Sequence, residues 1–306
     1  MKQIATTIIL FALSAYSLAE ENASLPVFSA GLKQIEPKHV NANGIDIAYK
    51  VLGDPENPAV LMIMGLSGSH ILWGDTLPNH LVDAGYQVVL FDNRDVGDSQ
   101  RFSEYGDPMI WWELLKNKFG FDVSGPYDLD DMARDSVALL DELQMKQVHV
   151  VGASMGGMIA QVVAAQYPDR VSSLTSIMSS PAMFADYLPP PGTPDEDSPF
   201  ATDNLDDDAI DALKTFGIYP DSAPRQMMAI MKSGDRSDEV KTISAPTLVM
   251  HGEDDAIVPL PHGKYTADLI KGSKFVSFQN MAHDMPAEVM PALVSNMIMH
   301  MKGNDI

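Results

Sequence analysis

One short segment carries the strongest structural signal in this chain of 306 residues. It reads Val148-His149-Val150-Val151-Gly152-Ala153-Ser154-Met155-Gly156-Gly157-Met158-Ile159-Ala160. The pattern predicts a β-branched strand, a Gly-X-Ser-X-Gly turn and the start of an apolar helix. Such a turn lifts a serine oxygen above the edge of a sheet, the geometry of a nucleophile elbow, and the alternative is a turn with an idle serine. We expect glycine at positions 152 and 156 because a Cβ atom there would collide as strand and helix close on each other.

The chain downstream of Ser154 offers an acid in the setting that a serine nucleophile needs. A serine is activated by a base, and the base is oriented by a carboxylate. Residues 246–250 form a predicted buried strand, and the loop at residues 251–259 contains Asp254 and Asp255. Open α/β sheets place their sites at the carboxyl ends of strands, so this loop is expected near the serine. By their chemistry alone, both aspartates remain candidates for the acid.

The predicted base is His283. It lies in the loop after a predicted strand at residues 274–278. It also follows the acid in the chain, which is the order of triad residues in α/β sheets that carry a nucleophile elbow. Other histidines have structural interpretations: His149 lies inside a strand, His251 is expected to brace the acid loop, and His262 is expected to begin a helix. The histidines that lack a strand-end setting are His39, His70, His80 and His300.

Three motifs together resemble those of a known family. They are FDNRDVGDS at residues 91–99, GASMGGMIAQ at residues 152–161 and AHDMP at residues 282–286. In combination they resemble the α/β-hydrolases, and within these the esterase group that includes aclacinomycin methylesterase. The similarity extends over roughly residues 38–300.

The resemblance implies an α/β fold and a division of the chain. The α/β-hydrolase fold has a mostly parallel central sheet flanked by helices, here with a cap insertion between the sixth and seventh core strands. The expected parts are a first core part at residues 20–181, a cap at residues 182–240 and a second core part at residues 241–306. The resemblance also selects Asp255 over Asp254, since the family's acid stands three residues after the glycine of its Gly-X-X-Asp loop.

The loop after the third predicted strand is expected to supply half of an oxyanion hole. The strand spans residues 59–64, and Gly65 lets the following loop turn close to a substrate. By position, the backbone N–H groups of Leu66 and Met155 are the two donors. Many relatives have His-Gly where this chain has Met64-Gly65, and this departure leaves a backbone donor unchanged.

These parts imply hydrolysis of a small or medium uncharged carboxylic ester through an acyl-enzyme, with no cofactor and no metal. The same triad serves other chemistry, namely perhydrolysis of an acid with peroxide, amide cleavage, or C–C cleavage of a β-diketone. A non-catalytic binding protein is a third interpretation. It is disfavoured because such proteins usually lack a triad residue, whereas Ser154, Asp255 and His283 are all present.

The expected cap contains a methionine-rich segment, and the chain before Ser154 contains an apolar one, and both have open interpretations. The methionine-rich segment at residues 225–231 is expected either to line the substrate pocket or to pack as an ordinary core helix. The apolar segment at residues 109–115 is expected either to form a second wall of the entrance or to be a helix packed on the sheet. A stiff proline-rich stretch at residues 187–194 precedes a run of acidic residues.

The N-terminus has the pattern of a signal peptide at residues 1–19. Lys2 supplies the positive start, residues 4–16 are apolar, and Ser17-Leu18-Ala19 is a small-X-small cleavage site. The sequence therefore predicts export to the periplasm or medium of a bacterium, and the alternative is an uncleaved anchor. After cleavage no membrane association is expected.

Composition excludes several classes of function. Cysteine is absent, which excludes disulfides, thiolate metal sites, a cysteine nucleophile and a lipoprotein anchor. The formal net charge of −22 argues against partners such as nucleic acid or anionic lipid, which need basic patches. The charge indicates a well-solvated surface, with attraction of a cationic substrate as the alternative. The sequence makes no prediction of the oligomeric state.

Overall fold

The computed structural model describes residues 30–303 apart from residues 107, 109–111, 114, 115, 117–120, 122 and 193–206. The strands are Lys38–Ala42 (β1), Ile45–Leu52 (β2), Ala59–Ile63 (β3), Gln87–Phe91 (β4), Val148–Ala153 (β5), Val171–Ile177 (β6), Thr247–Gly252 (β7) and Lys274–Phe278 (β8). The helices are Ala30–Gln34 (α1), Thr76–Asp83 (α2), Leu129–Glu142 (α3), Met155–Gln166 (α4), Asp207–Thr215 (α5), Ala223–Ser233 (α6), Ser237–Val240 (α7), Leu260–Leu269 (α8) and Met290–Met301 (α9).

The described strands form one sheet of eight, in the order β1-β2-β4-β3-β5-β6-β7-β8. Strands β3 to β8 are parallel, and β2 is antiparallel to both β1 and β4. The β1–β2 hairpin turns through Asn43 and Gly44, both at positive φ (55° and 81°), as an Asn-Gly turn predicts. The prediction of a mostly parallel sheet flanked by helices is confirmed.

The central strands are apolar throughout because helices cover both faces of the sheet. Every residue of β3 is buried, and its side chains alternate between two separate core clusters. Leu61 and Ile63 belong to the cluster that includes residues of α3 and α4. Val60 and Met62 belong to the cluster that includes residues of α2 and α9.

Helix α3 leads the chain into β5 and hence into the elbow. It begins with a capping box, in which Asp128 accepts from the backbone N–H of Asp131 at 2.9 Å and Asp131 accepts in return at 3.0 Å. Its apolar side chains, which include Leu129, Met132 and Leu140, are buried in the core cluster that also contains residues of β3 and α4. The helix also buries Asp135, which accepts from the guanidinium of Arg94, in the loop after β4, at 2.6 and 2.7 Å.

The segment between β6 and β7 contains the helices α5, α6 and α7. Most of the acidic run within this segment, most of the predicted wall at residues 109–115 and the predicted signal peptide at residues 1–19 lie outside the described residues. Among the residues that the structure describes, no helix has the length and apolar character needed to cross a membrane.

Candidate active site

Ser154 stands at a strained turn between β5 and α4. Its φ of 55° and ψ of −123° are rarely adopted by a residue with a side chain. The turn is held from both sides: the Ser154 N–H donates to the carbonyl of Ile177 at 2.9 Å, and its carbonyl accepts from the N–H groups of Gly157 and Met158 at 2.9 and 3.2 Å. This is the geometry that the Gly-X-Ser-X-Gly motif predicts.

The two elbow glycines are required for different contacts. A Cβ on Gly152 would lie 2.2 Å from the carbonyl oxygen of Gly156, so strand and helix do close on each other there. A Cβ on Gly156 would instead lie 2.0 Å from the carbonyl oxygen of Ile63, at the end of β3. The expected strand–helix collision therefore explains Gly152, while Gly156 is required by the neighbouring strand.

The structure brings the three sequence-predicted triad residues together, although they come from the ends of three strands. His283 Nε2 lies 2.9 Å from Ser154 Oγ, and His283 Nδ1 lies 2.8 Å from Asp255 Oδ2. The Asp255 side chain is fully buried and the His283 ring is 13% exposed. An Nδ1–H donated to the carboxylate leaves Nε2 free to accept the Ser154 proton.

The surroundings of Asp255 keep it ionised. Burial opposes the charge, but contacts with His251 and His283 and the backbone N–H of Val258 outweigh it and lower the pKa of Asp255 to about 2. Its Oδ1 accepts from the N–H groups of Ile257 and Val258 at 3.0 and 2.8 Å. Asp254, the alternative acid, is exposed. The carboxylate that faces His283 is therefore that of Asp255.

His251 braces the acid loop, and His262 holds the proline-rich stretch that contacts this loop. His251 Nε2 donates to the carbonyl of Val258 at 2.7 Å, so this histidine contacts the acid loop as the sequence predicted. His262, buried in α8, donates from Nε2 to the carbonyl of Pro189 at 2.8 Å. The proline-rich stretch also contacts the acid loop directly, through the N–H of Gly192 and the carbonyl of Ile257 at 3.0 Å.

The predicted oxyanion donors flank the serine. Met155 is the first residue of α4, so its N–H has no acceptor within the helix and lies where the helix favours negative charge. On the other side, a Cβ on Gly65 would lie 3.1 Å from Ser154 Cβ, so the loop after β3 runs directly beside the nucleophile. Leu66 follows in that loop and is partly buried.

The family motif after β4 forms a buried polar support beneath these loops. Asp92 accepts at Oδ1 from His70 Nδ1 at 2.7 Å and at Oδ2 from the N–H of Asp98 at 2.9 Å. The Asn93 side chain donates to the carbonyl of Met64 at 2.8 Å, just before the loop that follows β3. These contacts join the ends of β3 and β4.

Sequence reasoning missed two polar residues at the start of α6. Arg225 makes a two-point ion pair with Asp95, at 2.5 and 3.0 Å, and Gln226 accepts from the N–H of Ser67 at 2.6 Å. Both side chains are buried. Within this helix Met228 and Met231 are buried and Met227 is partly buried, so the helix packs as a core element on most of its surface. The sequence did carry one signal for them, since two adjacent polar residues, Arg225 and Gln226, stand beside the apolar face of a predicted helix.

Among the residues that the structure describes, no group of three or more histidine, aspartate or glutamate side chains could hold a metal ion. The hydrogen-bonded arrangement of hydroxyl, imidazole and carboxylate is one that supports nucleophilic attack on a carbonyl carbon.

Comparison with known proteins places the chain in a family. A family model for the alpha/beta hydrolase fold matches residues 58–210. Rhodomycin D methylesterase DauP of Streptomyces sp. (strain C5) is 26% identical over 298 aligned residues, covering 82% of this chain and 93% of that protein. The bifunctional esterase/perhydrolase DCH of Acinetobacter calcoaceticus is 25% identical over 278 aligned residues, covering 80% of this chain and 91% of that protein. The enol-lactonase of Burkholderia xenovorans LB400 shares the fold, with a TM-score of 0.65 at 17% identity over 87% of this chain and 100% of that one. This chain belongs to the α/β-hydrolase family, as its motifs predicted.

Proposed function

We propose that this protein is a serine hydrolase that cleaves carboxylic esters through an acyl-enzyme. One observation carries the proposal: Ser154 Oγ, His283 and Asp255 form a continuous hydrogen-bonded chain, with contacts of 2.9 and 2.8 Å. Relatives named methylesterase and esterase/perhydrolase, which cover 82% and 80% of this chain, support the same class of reaction.

The proposed first half-reaction forms the acyl-enzyme. His283 Nε2 accepts the hydroxyl proton of Ser154 as Oγ attacks the ester carbonyl, and the carbonyl oxygen becomes an oxyanion. The N–H groups of Leu66 and Met155 donate to that oxyanion, and each donor is worth about 2.7–4 kcal/mol of transition-state stabilisation. His283 then returns the proton to the departing alcohol.

The second half-reaction releases the acid by the same route. Water loses a proton to His283 and attacks the acyl carbon, and Ser154 Oγ leaves with that proton. In both halves the buried Asp255 carboxylate stabilises the imidazolium and holds its tautomer. Because the pKa of Asp255 is about 2, the carboxylate stays ionised at neutral pH.

We propose a small or medium uncharged ester as the substrate, on the apolar character of the side chains near the core cluster that contains Met155. The partly buried side chains of Leu66, Met183, Phe184 and Met227 pack against the core cluster that contains Met155. Three of these four come from the segment that we propose as the cap, residues 182–240. We propose that these side chains also line the site, where they would accommodate apolar acyl or alcohol groups and disfavour charged ones.

Perhydrolysis is the second candidate reaction, and the similarity to an esterase/perhydrolase favours it. The same triad would transfer an acyl group to hydrogen peroxide in place of water. Peracid formation from a short carboxylic acid and peroxide separates this reaction from simple hydrolysis. Turnover of amides or β-diketones would identify the remaining uses of the triad.

The test is hydrolysis of p-nitrophenyl esters with acyl chains of increasing length, with Ser154→Ala in parallel and a fluorophosphonate probe as an independent label. Turnover that peaks at one chain length and is lost in the variant supports a serine esterase. Probe labelling without ester turnover moves the assignment to another acyl-transfer reaction. If the probe does not label Ser154 and no ester is hydrolysed, the catalytic proposal is wrong.

We also propose that the protein is exported after cleavage behind Ala19, on the N-terminal sequence pattern alone. The test is expression of the full chain in a Gram-negative host followed by cell fractionation and N-terminal sequencing. A periplasmic or secreted product that begins at Glu20 supports export. An uncleaved product in the membrane or cytoplasmic fraction contradicts it.

A further inference from the structure

The oxyanion loop between Gly65 and Ser69 is held in one backbone conformation. The N–H of Gly68 donates to the carbonyl of Gly65 at 3.2 Å. The N–H of Leu66 shares the peptide plane of that carbonyl and points the opposite way, so this bond directs the proposed donor. Ser67 follows with a φ of 59°, a conformation that needs support from its surroundings.

Most of that support comes from the segment between β6 and β7. The carbonyl of Ser67 accepts from the N–H of Tyr219 at 2.8 Å, and the N–H of Ser69 donates to the carbonyl of Gly217 at 2.8 Å. A bridge between Gly68 and Ile218 joins the same two stretches. The contact is close, because a Cβ on Gly217 would lie 2.6 Å from Ser69 Oγ.

Gln226 supplies the remaining tether through its side chain. Its Oε1 accepts from the N–H of Ser67 at 2.6 Å, and its Nε2 donates to the carbonyl of Arg94 at 3.1 Å. The Gln226 side chain has no exposed surface, so water does not compete for these two bonds. Four successive peptide units of the oxyanion loop are therefore fixed, one of them by this glutamine.

Gln226 itself is held in place by its neighbour. Arg225 pairs with Asp95 in the loop after β4, and its Nη2 also donates to the carbonyl of Asp221 at 2.8 Å. The first turn of α6 is thus fixed to the same loop that provides the Arg94 carbonyl. The glutamine has little freedom to follow Ser67 if the oxyanion loop relaxes.

We propose that Gln226 is a positioning residue of the oxyanion hole, acting from the cap insertion on the Leu66 N–H through Ser67. The inference rests on the proposed serine hydrolase function and adds to it: the insertion that covers the site also builds part of its catalytic backbone. Removing the amide frees the peptide between Leu66 and Ser67 to rotate, which loosens the turn closed by the bond from Gly68 to Gly65. The Gly65–Leu66 peptide can then tilt, and its N–H moves away from the developing oxyanion. The donor stabilises the oxyanion, which forms only in the transition state, so its displacement lowers kcat and leaves KM nearly unchanged.

The test compares Gln226→Met with Gln161→Met. Both replace a fully buried helical glutamine by a side chain of similar length, but Gln161 donates to Ser176 Oγ at 3.2 Å, on α4 and away from the oxyanion loop. Two rates are measured on folded protein: fluorophosphonate labelling of Ser154, which any activated serine hydrolase undergoes, and kcat on the best p-nitrophenyl ester. Affinity for a trifluoromethyl ketone, which forms an oxyanion when bound, is the third measurement.

We expect Gln226→Met to slow labelling and kcat by about 10- to 100-fold, to weaken ketone binding by a similar factor and to change KM less than about threefold. Gln161→Met should stay within about threefold of the parent in every measurement. If Gln226→Met does not fold, Gln226→Asn, which keeps the amide and shortens its reach, is judged by the same criteria.

Labelling at the parent rate in a folded Gln226 variant overturns the inference and leaves the proposed function standing. An equal loss in the Gln161 variant also overturns it, because general loosening of the core would then explain both. A parent protein whose Ser154 is not labelled at all overturns the inference and the proposed function together.

Discussion

The buried ion pair between Arg225 and Asp95 provides the most direct energetic test of how the insertion is attached to the core. Arg225 is 2% exposed and Asp95 is fully buried, and two hydrogen bonds of 2.5 and 3.0 Å join them. The change to make is Arg225→Met, which keeps the length of the side chain and removes its charge. It leaves the Asp95 carboxylate buried without its main counter-charge.

The expected loss follows from what remains around Asp95. Breaking a buried pair by removing one partner typically costs about 3–5 kcal/mol, because the other charge stays desolvated. Asp95 keeps the hydroxyl of Tyr127 at 3.0 Å, the N–H of Phe102 at 3.0 Å and the guanidinium of Arg101 at 3.5 Å. Burial and the nearby carboxylate raise the pKa of Tyr127, so its hydroxyl remains a donor. We therefore expect the lower end, a loss of about 3 kcal/mol in the free energy of unfolding.

The assay is urea denaturation followed by circular dichroism, with Arg134→Met as the matched control. Arg134 is 46% exposed and pairs with Asp131 on the surface of α3, so its loss should cost about 0.2–1 kcal/mol. In a double-mutant cycle, Asp95→Asn should recover part of the stability that Arg225→Met loses.

The reasoning is refuted if Arg225→Met costs no more than Arg134→Met, or if Asp95→Asn adds its full effect to that of Arg225→Met. Either result would mean that the pair does not hold α6 against the loop after β4.

Three further predictions concern the acid and the elbow. Asp255→Asn should lower kcat on p-nitrophenyl acetate by about 10⁴-fold with little change in KM, whereas Asp254→Asn should stay within about twofold, and the reverse ranking would assign the acid to Asp254. The pKa of Asp255 lies below its ordinary value of about 4, so the ionised carboxylate stabilises the fold above that pH and this contribution disappears as the pH falls toward about 2. The advantage of the parent over Asp255→Asn in free energy of unfolding should then shrink by about 2–3 kcal/mol between about pH 5 and pH 2, and a constant difference in urea titrations would contradict the low pKa. Gly156→Ala places a Cβ 2.0 Å from the Ile63 carbonyl, and urea titration should show a loss above about 2 kcal/mol, with a loss below about 1 kcal/mol as the contrary outcome.

The elbow and the order of the site residues could be predicted because their signals are local. A strand, a glycine-flanked serine and a helix follow one another within residues 148–160, and each imposes its own requirement on side-chain size and periodicity. The acid loop and the His283 loop each follow a strand that is recognisable by itself. Since the carboxyl ends of parallel strands meet at one edge of a sheet, proximity follows from the fold class.

The choice between Asp254 and Asp255 shows where local information ends. The two aspartates are adjacent and chemically identical, and a family resemblance, not their chemistry, favoured Asp255. In the structure the loop turns so that Asp254 is exposed while Asp255 accepts from Ile257 and Val258 and faces His283. Which of two neighbours points inward depends on the backbone of the loop.

By itself, the sequence determined the fold class, and it predicted Ser154, His283 and the loop after β3 as parts of the candidate site, because each of these signals depends on residues close together in the chain. Only the tertiary structure decided that Arg225 and Gln226 fasten the insertion to the loops after β3 and β4. The contact of Gln226 with Ser67 joins residues 159 positions apart, and that of Arg225 with Asp95 joins residues 130 apart. Helical periodicity indicates that Arg225 and Gln226 lie beside the apolar face of α6, but it does not specify their partners, because the packing of distant segments decides which groups they meet.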